Sequence, residues 1–509
     1  MTTVDVFLGV DVGTASTKGV AVTGDGRVVA RAQRPHRVST PRPGWFEHDP
    51  EAVWWADFRH VVAELLAGRP GQPATGPVRS AVRPVGLAVS GIGPCLLAAD
   101  DAGRPLRPAI LYGVDTRAEQ EIELLNERWG VAEISRRGAV LTSQAIGPKL
   151  LWLARHEPDV FARTRRIFMA SSYLVHRLTG EYLLDHHSAS QCSPLYDQRV
   201  GGWDDAWWDE LAPQVRRPPL AWSTAPAGQV SAESARLTGL PAGLPVTAGT
   251  IDAWAEADSV GVRDPGDLML MYGSTMFLIV LTDRPRSSTR LWPTAGLRPG
   301  VHCLAAGMAT SGSVTGWLTE LTGADYATLT AEAARVPAGS GGLLLLPYFA
   351  GERTPIFDAR ARGVVAGLTL GHGRGHLYRA ALEGVAFGVR HNLGAMRDGG
   401  AAPRRVVPVG GGTAGDLWTQ IVSDVTGLTQ ELPRETTGAA YGDAMLAAVA
   451  TGAVPAEDTA GWNPLERRIE PDPRHRDRYD RLFEHYLRLY AETAPTVHHL
   501  AGLGDRPTG

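Results

Sequence analysis

Short apolar runs separated by glycine-containing turns mark the first part of the chain. Apolar residues fill Val6–Val10 and recur at 19–23 and 28–32, and the turn Gly24-Asp25-Gly26 separates the last two runs. Apolar runs of this length, bounded by turn residues, are typical of β-strands, and short connections favour antiparallel pairing. The pattern therefore predicts a β-meander at the N-terminus.

A helix and a buried strand are predicted after the meander. From Pro50 apolar residues recur at helical spacing, and Asp49 can cap the start of that helix. The run Val85–Ser90 predicts a buried strand, which ends in the loop Gly91-Ile92-Gly93-Pro94. Open α/β sheets commonly bind ligands at such strand ends, so this loop is a candidate for a pocket.

The same pattern restarts past the middle of the chain. Residues 248–252 precede an alanine-rich helical stretch, and the run Leu268–Met271 turns at Gly273 much as the first strand turns at its end. This repetition predicts two related α/β halves with a boundary near 258–262. The proline-rich segment 205–245 shows no clear period, so we expect a surface excursion there. Helical spacing is also found at 377–396, 417–426 and 473–492.

Composition and charge exclude several classes of protein. At 509 residues the chain exceeds the usual limit for one hydrophobic core, which predicts two large domains. A net charge of −4 provides no footprint for nucleic acid or for an anionic membrane, so a small-molecule partner fits better. Without an apolar run of membrane-spanning length or a signal peptide, we expect a cytoplasmic protein. The three cysteines are widely separated, which disfavours a disulfide scaffold and a zinc site.

Two turns rich in glycine and hydroxyl groups are the candidates for chemistry. Asp11-Val12-Gly13-Thr14-Ala15-Ser16-Thr17-Lys18 follows the first strand, and Tyr272-Gly273-Ser274-Thr275 follows the strand in the second half. Such turns present backbone N–H and hydroxyl groups that suit phosphate oxygens, although Gly and Thr also mark ordinary hairpins. Their recurrence favours two domains that hold a nucleotide for phosphoryl transfer, with Asp11 binding a hydrated magnesium ion.

Lysine usage is a separate indication. Only two of the 50 basic residues are lysines, Lys18 and Lys149, and the rest are arginines. A compact ammonium kept against this bias suggests a specific geometric demand, and Lys18 lies beside the first turn. Chance retention is the alternative.

Several longer segments match the signatures of one protein family. The most specific is Gly363–Leu368, followed by His376-Leu377 and Ala380–Glu383, which fits a C-terminal signature at every defined position. Further matching segments are Pro43–Trp45, Glu47, Asp49-Pro50, Lys149–Leu153, Gly351–Pro355 and Gly410–Gly412 with Leu417, Trp418 and Gln420. Over nearly its whole length the chain resembles the FGGY carbohydrate kinases, which share the actin-like ATPase fold.

The resemblance implies a fold class and a domain division. The expected fold is α/β, with two actin-like (ribonuclease H-like) domains and a nucleotide and sugar cleft between them. Residues 1–258 form the expected N-terminal domain, which binds sugar and carries the first phosphate loop. Residues 259–496 form the expected C-terminal domain, which binds ATP, and 497–509 a loose tail.

Asp252 is the expected catalytic base, because the family has an aspartate at this position after a Gly-rich strand end. A sugar hydroxyl ionises far above neutral pH, so a carboxylate within hydrogen-bond reach must accept its proton during attack on the γ-phosphoryl group. The alternative is a helix N-cap, since Asp252 also precedes a helical stretch.

The expected ATP site draws on both turns. The resemblance implies that the phosphates and adenosine lie near Thr14, Ser16, Lys18, Gly273, Ser274, Thr275, Gly312, Gly316, Gly411, Gly412 and Gly415, with Asp11 acting through magnesium. Relatives often have a polar side chain at the Gly415 position to contact the base, and this chain lacks it. Strict selection of adenine is therefore less secure than the use of ATP.

The expected sugar pocket departs from the family pattern. Xylulose kinases of the family carry a Met-His pair where this chain has Gly93 and Pro94, and the arginine and glutamate of glycerol kinases are also absent from this loop. Asp115 and Arg117 match an Asp-x-Arg motif of the family, which implies a pocket role, although such a pair can also be solvated. Gln144 is a further candidate.

The implied activity is an ATP- and magnesium-dependent kinase that phosphorylates a hydroxyl of a small sugar, with a pentulose such as xylulose as the first candidate. A deoxy-ketose, another ketose, a polyol or a sugar acid are alternatives, because a less polar loop tolerates a missing hydroxyl. A different class, an actin-like regulatory ATPase or sugar sensor, also uses this fold. The expected partner is a small sugar or polyol, not nucleic acid or membrane, and a homodimer is an option.

Overall fold

The chain forms two compact units that interleave along the sequence. The structure, a computed structural model, describes residues 3–68, 82–435 and 437–504. Unit 1 comprises Met1–Arg263, Asp283–Cys303 and Thr437–Pro464. Unit 2 comprises Asp264–Thr282, Leu304–Thr436 and Leu465–Gly509.

Both units contain strands, which are numbered here along the whole chain. They are β1 (Val4–Val12), β2 (Ser16–Val22), β3 (Val28–Pro35), β4 (Glu47–His48), β5 (Val82–Gly91), β6 (Leu97–Ala99), β7 (Ala109–Ile110), β8 (Arg166–Phe168), β9 (Leu184–Asp185), β10 (Tyr196–Asp197), β11 (Gly202–Trp203), β12 (Leu220–Ala221), β13 (Pro226–Gln229), β14 (Pro245–Thr247), β15 (Thr250–Ile251), β16 (Asp267–Tyr272), β17 (Met276–Thr282), β18 (Trp292–Ala295), β19 (His302–Met308), β20 (Leu344–Leu346), β21 (Val364–Ala366), β22 (Arg405–Val409), β23 (Gln430–Pro433) and β24 (Leu465–Ile469).

The α-helices are numbered in the same way. They are α1 (Ala56–Leu66), α2 (Glu119–Trp129), α3 (Val131–Arg137), α4 (Ile146–His156), α5 (Pro158–Arg163), α6 (Ala170–Thr179), α7 (His186–Ser190), α8 (Asp205–Leu211), α9 (Ala232–Thr238), α10 (Asp252–Ser259), α11 (Gly312–Thr322), α12 (Tyr326–Ala334), α13 (Arg374–Asp398), α14 (Asp416–Thr426), α15 (Ala439–Ala450) and α16 (Arg476–Gly504). In the described part of the chain, no helix combines the length and the apolar character needed to cross a bilayer.

Unit 1 is built on a mixed sheet in the order β13-β14-β5-β1-β2-β3, and β15 also pairs with β5. Strand β1 is antiparallel to β2 and parallel to β5, and β2 is antiparallel to β3. The predicted meander is therefore confirmed. Strand β1 is apolar along nearly its whole length because it is a central strand with neighbours on both sides and helices on both faces.

Helices approach both faces of the unit 1 sheet closely at glycines. A Cβ at Gly9 would lie 1.9 Å from the carbonyl oxygen of Ala440 on α15, and a Cβ at Gly19 would lie 2.4 Å from Val61 Cγ1 on α1. Gly19 pairs with Val10, so it faces the opposite side of the sheet from Gly9. Larger side chains at either position would push the covering helix away.

Unit 2 repeats the strand order of unit 1. Its sheet contains β19-β17-β16-β22-β23-β24 in that order. Strand β16 is antiparallel to β17 and parallel to β22, β22 is parallel to β23, and β23 is antiparallel to β24. In unit 1, β1, β2, β5, β14 and β13 occupy the corresponding places with the same directions. The predicted duplication is therefore present in the topology.

Helix predictions agree in position but differ at the ends. The helix predicted from Pro50 starts as a π-helix over Pro50–Trp55, and the Asp49 carboxylate accepts hydrogen bonds from the Glu51 and Ala52 amides. Helices α13 and α14 contain the stretches at 377–396 and 417–426. The last helix continues to Gly504, through most of the tail expected from 497, and residues 505–509 lie outside the described residues.

The expectation of a surface excursion at 205–245 is wrong. This segment contains α8, α9 and β13, and it leads into β14; β13 and β14 are strands of the unit 1 sheet. Strand β13 consists of Pro-Ala-Gly-Gln at the sheet edge, where proline is tolerated because an edge strand has unpaired donor positions. Its composition lacks the apolar run by which a strand is recognised.

The division into domains at residue 258 stays a prediction. The two compact units are instead each made of three separate segments of the chain. Residues 283–303 and 437–464 belong to unit 1 although they come late in the sequence. The segment 437–464 belongs to unit 1 because it contains α15, which packs on β1 and β5 of the unit 1 sheet.

Candidate active site

Four adjacent strands of unit 1 bring polar residues into one row. Asp11 on β1 pairs with Lys18 on β2 and, on its other side, with Ser90 on β5. Ser90 in turn pairs with Thr250 on β15. Directly paired residues on neighbouring strands lie about 5 Å apart. The row therefore brings residues from three separate parts of the sequence next to each other.

Asp252 follows this row as the first residue of α10. The N-cap position belongs to Ile251, and the Asp252 carboxylate accepts a hydrogen bond of 2.7 Å from the next amide, that of Ala253. Asp252 therefore lies one position inside the helix, and the alternative of an N-cap does not describe it. Its carboxylate is at the helix N-terminus, where the peptide dipoles favour negative charge.

Carboxylates are concentrated around Asp252. Burial raises the pKa of Asp252 well above its usual value, and the charge of Asp11 adds to this shift. Burial also raises the pKa of Asp11 to about 6, against the charge of Lys18. Glu256, one helical turn after Asp252, has a pKa raised to about 7 by burial and then by Asp11. The cluster therefore holds its negative charges in mutual repulsion, which favours a bound cation or a proton.

Asp443 is a member of this cluster that the sequence analysis missed. It lies on α15, is fully buried, and accepts a hydrogen bond of 2.6 Å from Ser90 Oγ. Burial raises its pKa well above the usual value, and the charges of Asp11 and Asp252 act in the same direction. The available signal was a single carboxylate in an otherwise alanine-rich, buried helix.

Glycines allow α15 to bring Asp443 to this position. A Cβ at Gly442 would lie 1.9 Å from the carbonyl oxygen of Ala255 on α10. Together with the close approach at Gly9, this contact seats α15 between the strand β1 and the helix that begins at Asp252. Packing therefore requires glycine directly before Asp443. In the sequence alone, this pair is indistinguishable from the rest of an ordinary helix.

The first turn lies at the end of β1. The Gly13 amide donates to the Ser16 carbonyl over 3.0 Å, which closes the turn. The hydroxyls of Thr14 and Tyr112 lie 3.3 Å apart, and Gln33 donates to Ser16 Oγ over 3.2 Å. Lys18 is exposed nearby on β2. The predicted residues Thr14, Ser16 and Lys18 are therefore brought together beside Asp11.

The residues around Asp11 fit a partly hydrated cation. Asp11 Oδ1 is buried and has no hydrogen-bond partner among the described residues. In the described part of the chain, no group of three or more Asp, Glu, His or Cys side chains is arranged to hold a metal ion. Magnesium typically binds through one or two carboxylates with water and substrate phosphates, so a single carboxylate is a suitable protein ligand for it.

The second turn, in unit 2, is held mostly by backbone groups, and the Ser313 hydroxyl also donates to the Ser274 carbonyl over 2.9 Å. The Gly273 amide donates to the Thr275 carbonyl over 3.1 Å. The amides of Gly312 and Ser313, at the start of α11, donate to the carbonyls of Gly273 and Ser274 over 2.9 and 3.1 Å. A Cβ at Gly312 would lie 2.7 Å from the Gly273 carbonyl oxygen, so this approach requires glycine.

A cavity of about 440 Å³ lies beside the second turn, within unit 2. Six of the predicted nucleotide-binding residues line it: Gly273, Ser274, Gly312, Gly411, Gly412 and Gly415. No Cβ contact would arise at Gly411 or Gly415, whereas one at Gly412 would lie 2.8 Å from Tyr272 Cβ. Gly316 and Thr275 are not in this lining. Gly411 and Gly415 thus border open space, whereas Gly412 packs against its neighbours.

Several lining residues of this cavity were missed by the sequence analysis. The missed residues bear hydroxyl groups and are Thr315, Tyr326, Thr330 and Tyr378. They come from α11, α12 and α13, so sequence proximity offers no signal for them. The apolar lining residues include Leu382, Leu417 and Trp418, which lie in segments that match the family signatures. Apolar walls with a few polar groups are typical of small-molecule pockets.

The loop predicted to bind sugar, Gly93-Pro94, lies against the residue before Asp252. A Cβ at Gly93 would lie 2.6 Å from Ile251 Cγ1. Burial raises the pKa of the neighbouring Cys95 thiol to about 12, and the Asp252 charge adds to this effect. Ile251 therefore occupies the space that a longer side chain at position 93 would need.

Asp115 and Arg117 form a closed internal pair. Arg117 donates to both Asp115 oxygens, at 2.9 Å from Nε to Oδ1 and 2.8 Å from Nη2 to Oδ2, and Nη1 donates to Glu47 over 2.8 Å. Both side chains have 0% exposure. The guanidinium also lies over the ring of Trp45, at 4.3 Å from its centroid. A solvated pair is excluded, and a direct sugar contact by either side chain stays a prediction that this packing does not favour.

Gln144 and its neighbour hold the segment just before Asp115. Its Oε1 accepts a hydrogen bond of 3.0 Å from the Gly113 amide, and the Ser143 hydroxyl donates to the Gly113 carbonyl over 2.8 Å. The other lysine, Lys149, is buried and donates to the Leu111 carbonyl over 2.7 Å. These bonds hold the segment from Leu111 to Gly113, which also carries the Tyr112 hydroxyl near Thr14.

Comparison with known proteins decides the family. The description "FGGY family of carbohydrate kinases, N-terminal domain" matches residues 6–257, and the C-terminal domain of the same family matches residues 268–451. The chain belongs to the FGGY family of carbohydrate kinases. As an FGGY kinase, it has an α/β fold of two actin-like domains and is a sugar kinase, which takes ATP as a substrate.

Relatives of this FGGY kinase act on different small molecules. The chain is 31% identical to a xylulose kinase of Escherichia coli (strain K12), over 97% of this chain and all of the relative. It is also 31% identical to a glycerol kinase of Alkalilimnicola ehrlichii, over 92% of this chain and 96% of the relative. The solved structure of a xylulose kinase from Rhodospirillum rubrum has 36% sequence identity and a TM-score of 0.88, covering 97% of this chain and 100% of that one.

Proposed function

We propose that this FGGY kinase transfers the γ-phosphoryl group of ATP to a hydroxyl of a pentulose such as xylulose, with Asp252 as the general base. The observation that carries the proposal is the position of the Asp252 carboxylate, beside the row that contains Asp11 and Lys18 in unit 1. In this role the carboxylate accepts the proton of the sugar hydroxyl while its oxygen attacks phosphorus.

Electrostatics around Asp252 support this role. A base with a pKa raised by burial and by Asp11 holds a proton more strongly than a solvated aspartate does. It therefore accepts a proton from a hydroxyl with a greater driving force, provided that it is ionised when the substrate binds. Positive charge from Lys18 and from a cation at Asp11 favours the ionised form.

For the nucleotide, we propose that the phosphates contact Thr14, Ser16 and Lys18 in unit 1 and Gly273, Ser274 and Thr275 in unit 2. The adenosine is assigned to the unit 2 cavity, with Gly312, Gly316, Gly411, Gly412 and Gly415 close to it. Magnesium, with Asp11 as its protein ligand through water, would neutralise phosphate charge when bound.

For the sugar, xylulose kinases among the relatives support a ketose, and the loop of unit 1 limits its shape. Gly93 and Pro94 supply no side-chain donor, and Ile251 adds an apolar surface next to the base. We assign the loop, Asp115, Arg117 and Gln144 to the pocket wall, with the last three acting by holding it. A deoxy-ketose, another ketose, a polyol or a sugar acid are tested beside xylulose because an apolar wall discriminates weakly against a missing hydroxyl.

The test is ADP release in the presence of ATP and magnesium across a panel of ketoses, deoxy-ketoses, aldoses, polyols and sugar acids. We expect a sugar-dependent rate, which Asp252→Asn lowers by about a hundredfold or more while ATP binding persists. Glu123→Gln, an exposed change on α2, is the control. Unchanged turnover in Asp252→Asn would remove the residue from its role, and a preference outside the ketoses would overturn the substrate.

A cytoplasmic location and a homodimeric assembly stay predictions. Fractionation of cells that express the chain tests the first, and light scattering of the purified protein tests the second.

A further inference from the structure

His36 holds the first turn of unit 1 at two points. It follows β3 directly, and its backbone amide donates to the Ala15 carbonyl over 2.9 Å. Its ring Nε2 lies 3.1 Å from the Gly13 carbonyl oxygen. The ring Nδ1 lies 2.8 Å from Asp57 Oδ2 on α1. The side chain is 6% exposed and that of Asp57 is 3% exposed, so water competes little for these bonds.

The partners of the ring determine its protons. A carbonyl oxygen only accepts hydrogen bonds, so Nε2 must donate to Gly13. Nδ1 faces the Asp57 carboxylate, whose other oxygen pairs with Arg34 Nε at 2.9 Å. Both ring bonds are therefore satisfied when His36 is an imidazolium, an ion paired with Asp57 in a buried setting.

The charged and titratable groups that face His36 come from four elements. They are Arg34 on β3, Asp57 on α1, His48 on β4 and Asp11 on β1. Burial, followed by the charge of His36, lowers the pKa of His48 to about 4, so His48 is neutral near pH 7. His36 and Lys18 are both close enough to Asp11 to act on its carboxylate.

The bonds from His36 to Gly13 and Ala15 determine which groups of the turn remain available to a ligand. With the carbonyls of Gly13 and Ala15 held by His36, these oxygens are directed away from a ligand. The amides of Thr14 and Ala15 donate to no acceptor among the described residues. Two free amides in a turn whose carbonyls are tied back form a suitable cradle for phosphate oxygens.

We propose that His36, held as an imidazolium by Asp57, is a positioning residue that presents the Thr14 and Ala15 amides to the phosphates of ATP. This assignment deepens the proposed function, on whose first phosphate turn it rests. His36 does not touch the substrate. It acts through the backbone of residues 13–15, and its charge supplements that of Lys18 near the phosphates.

The test uses two substitutions that keep one ring bond each. In His36→Gln the amide nitrogen reaches the position of Nε2 and can still donate to Gly13, whereas in His36→Asn it reaches only the position of Nδ1 and Asp57. The exposed His60→Asn on α1 is the control. The readouts are the dissociation constant of MgADP by calorimetry, KM for ATP and for sugar, kcat and Tm.

We expect His36→Asn to weaken MgADP binding and to raise KM for ATP by about tenfold, the effect of one charge-assisted hydrogen bond. The sugar KM should stay within about twofold, and His36→Gln should recover most of the loss at a similar Tm. Equal nucleotide affinity in His36→Asn and wild type, or equal losses in both variants that follow Tm, would overturn the proposal.

Two features of the experiment make its result unambiguous. MgADP binding requires no sugar, so failure of the proposed reaction leaves this test intact. Should both His36 variants fail to fold, Asp57→Asn replaces them, because it keeps the shape of the pair but removes the charge that holds the imidazolium. An increase of about threefold in the MgADP dissociation constant would support the proposal, and an unchanged constant would overturn it.

Discussion

The two turns of this FGGY kinase share a backbone design but are held by different means. Each follows a central strand, and each closes with a hydrogen bond from its glycine amide, to Ser16 in unit 1 and to Thr275 in unit 2. In unit 1 the turn is tied mostly by the side chains of His36, Gln33 and Tyr112, with one bond from the His36 backbone amide. In unit 2 it is tied mostly by the backbone amides at the start of α11, with one bond from the Ser313 hydroxyl.

The surroundings of the two turns also differ in charge. Unit 1 surrounds its turn with Asp11, Lys18, Asp252, Glu256 and Asp443, whereas unit 2 surrounds its turn with glycines, hydroxyls and aromatic rings. A repeated topology thus carries two kinds of site. The charged site suits proton transfer and a cation, and the neutral cavity suits a flat base, which gains from burial of its faces.

Gly312→Ala has the largest expected effect on this comparison, because it disrupts the hydrogen bonds between α11 and the turn of unit 2. The new Cβ would lie 2.7 Å from the Gly273 carbonyl, so the turn or α11 must move. We expect KM for ATP to rise by tenfold or more with little change in the sugar KM. Steady-state kinetics with each substrate varied in turn measure this.

Gly394→Ala on α13 is the matched control. No atom lies within 4 Å of the Cβ it would add, and alanine is the better helix former. We expect kinetics close to those of wild type. A Gly312→Ala enzyme with an unchanged KM for ATP would show that the backbone ties do not set nucleotide affinity.

Glu256→Gln sharpens the comparison on the charged side. Glu256 raises the pKa of Asp252 when it is ionised, so its removal lowers that pKa and leaves more of the base ionised at a given pH. The acid limb of the kcat profile should therefore move to lower pH by up to about one unit. Rates from pH 5 to 9 measure the shift, with Glu123→Gln as the control. A shift to higher pH would contradict the assigned repulsion.

Asp443→Asn has the smallest expected effect, on stability. The native pKa of Asp443 lies above its unfolded value, so the native state keeps a proton that the unfolded state loses as pH rises. Wild type therefore loses stability relative to the variant with increasing pH above about 4, whereas both are alike at lower pH. We expect a gain in Tm of about 3 °C for the variant at pH 8.

The control for this measurement is Asp205→Asn on α8, where the side chain is 81% exposed and its ion pair with Arg217 contributes little. Thermal unfolding at pH 5 and pH 8 provides the comparison. A variant that is less stable than wild type at both values would mean that Asp443 is needed in its ionised form.

Regular elements were predictable where their pattern is local. The meander, the helix after Asp49 and the helices α13 and α14 each show apolar periodicity within a single segment, and they lie where that pattern indicates. Strand β13 was not predicted, because a short edge strand needs no apolar run. The extension of α16 to Gly504 escaped because helical ends depend on packing and capping more than on periodicity.

The sequence by itself determined the family, the duplication into two related α/β halves and the position of both turns, because these depend on contiguous motifs and on backbone propensity. Only the tertiary structure decided that Asp443 and Glu256 join Asp252, that Arg117 is enclosed by Asp115 and Glu47, and that Ile251 fills the space at Gly93. Those relations join segments far apart in sequence or depend on which side chain is buried, and burial and charge are properties of the packed chain.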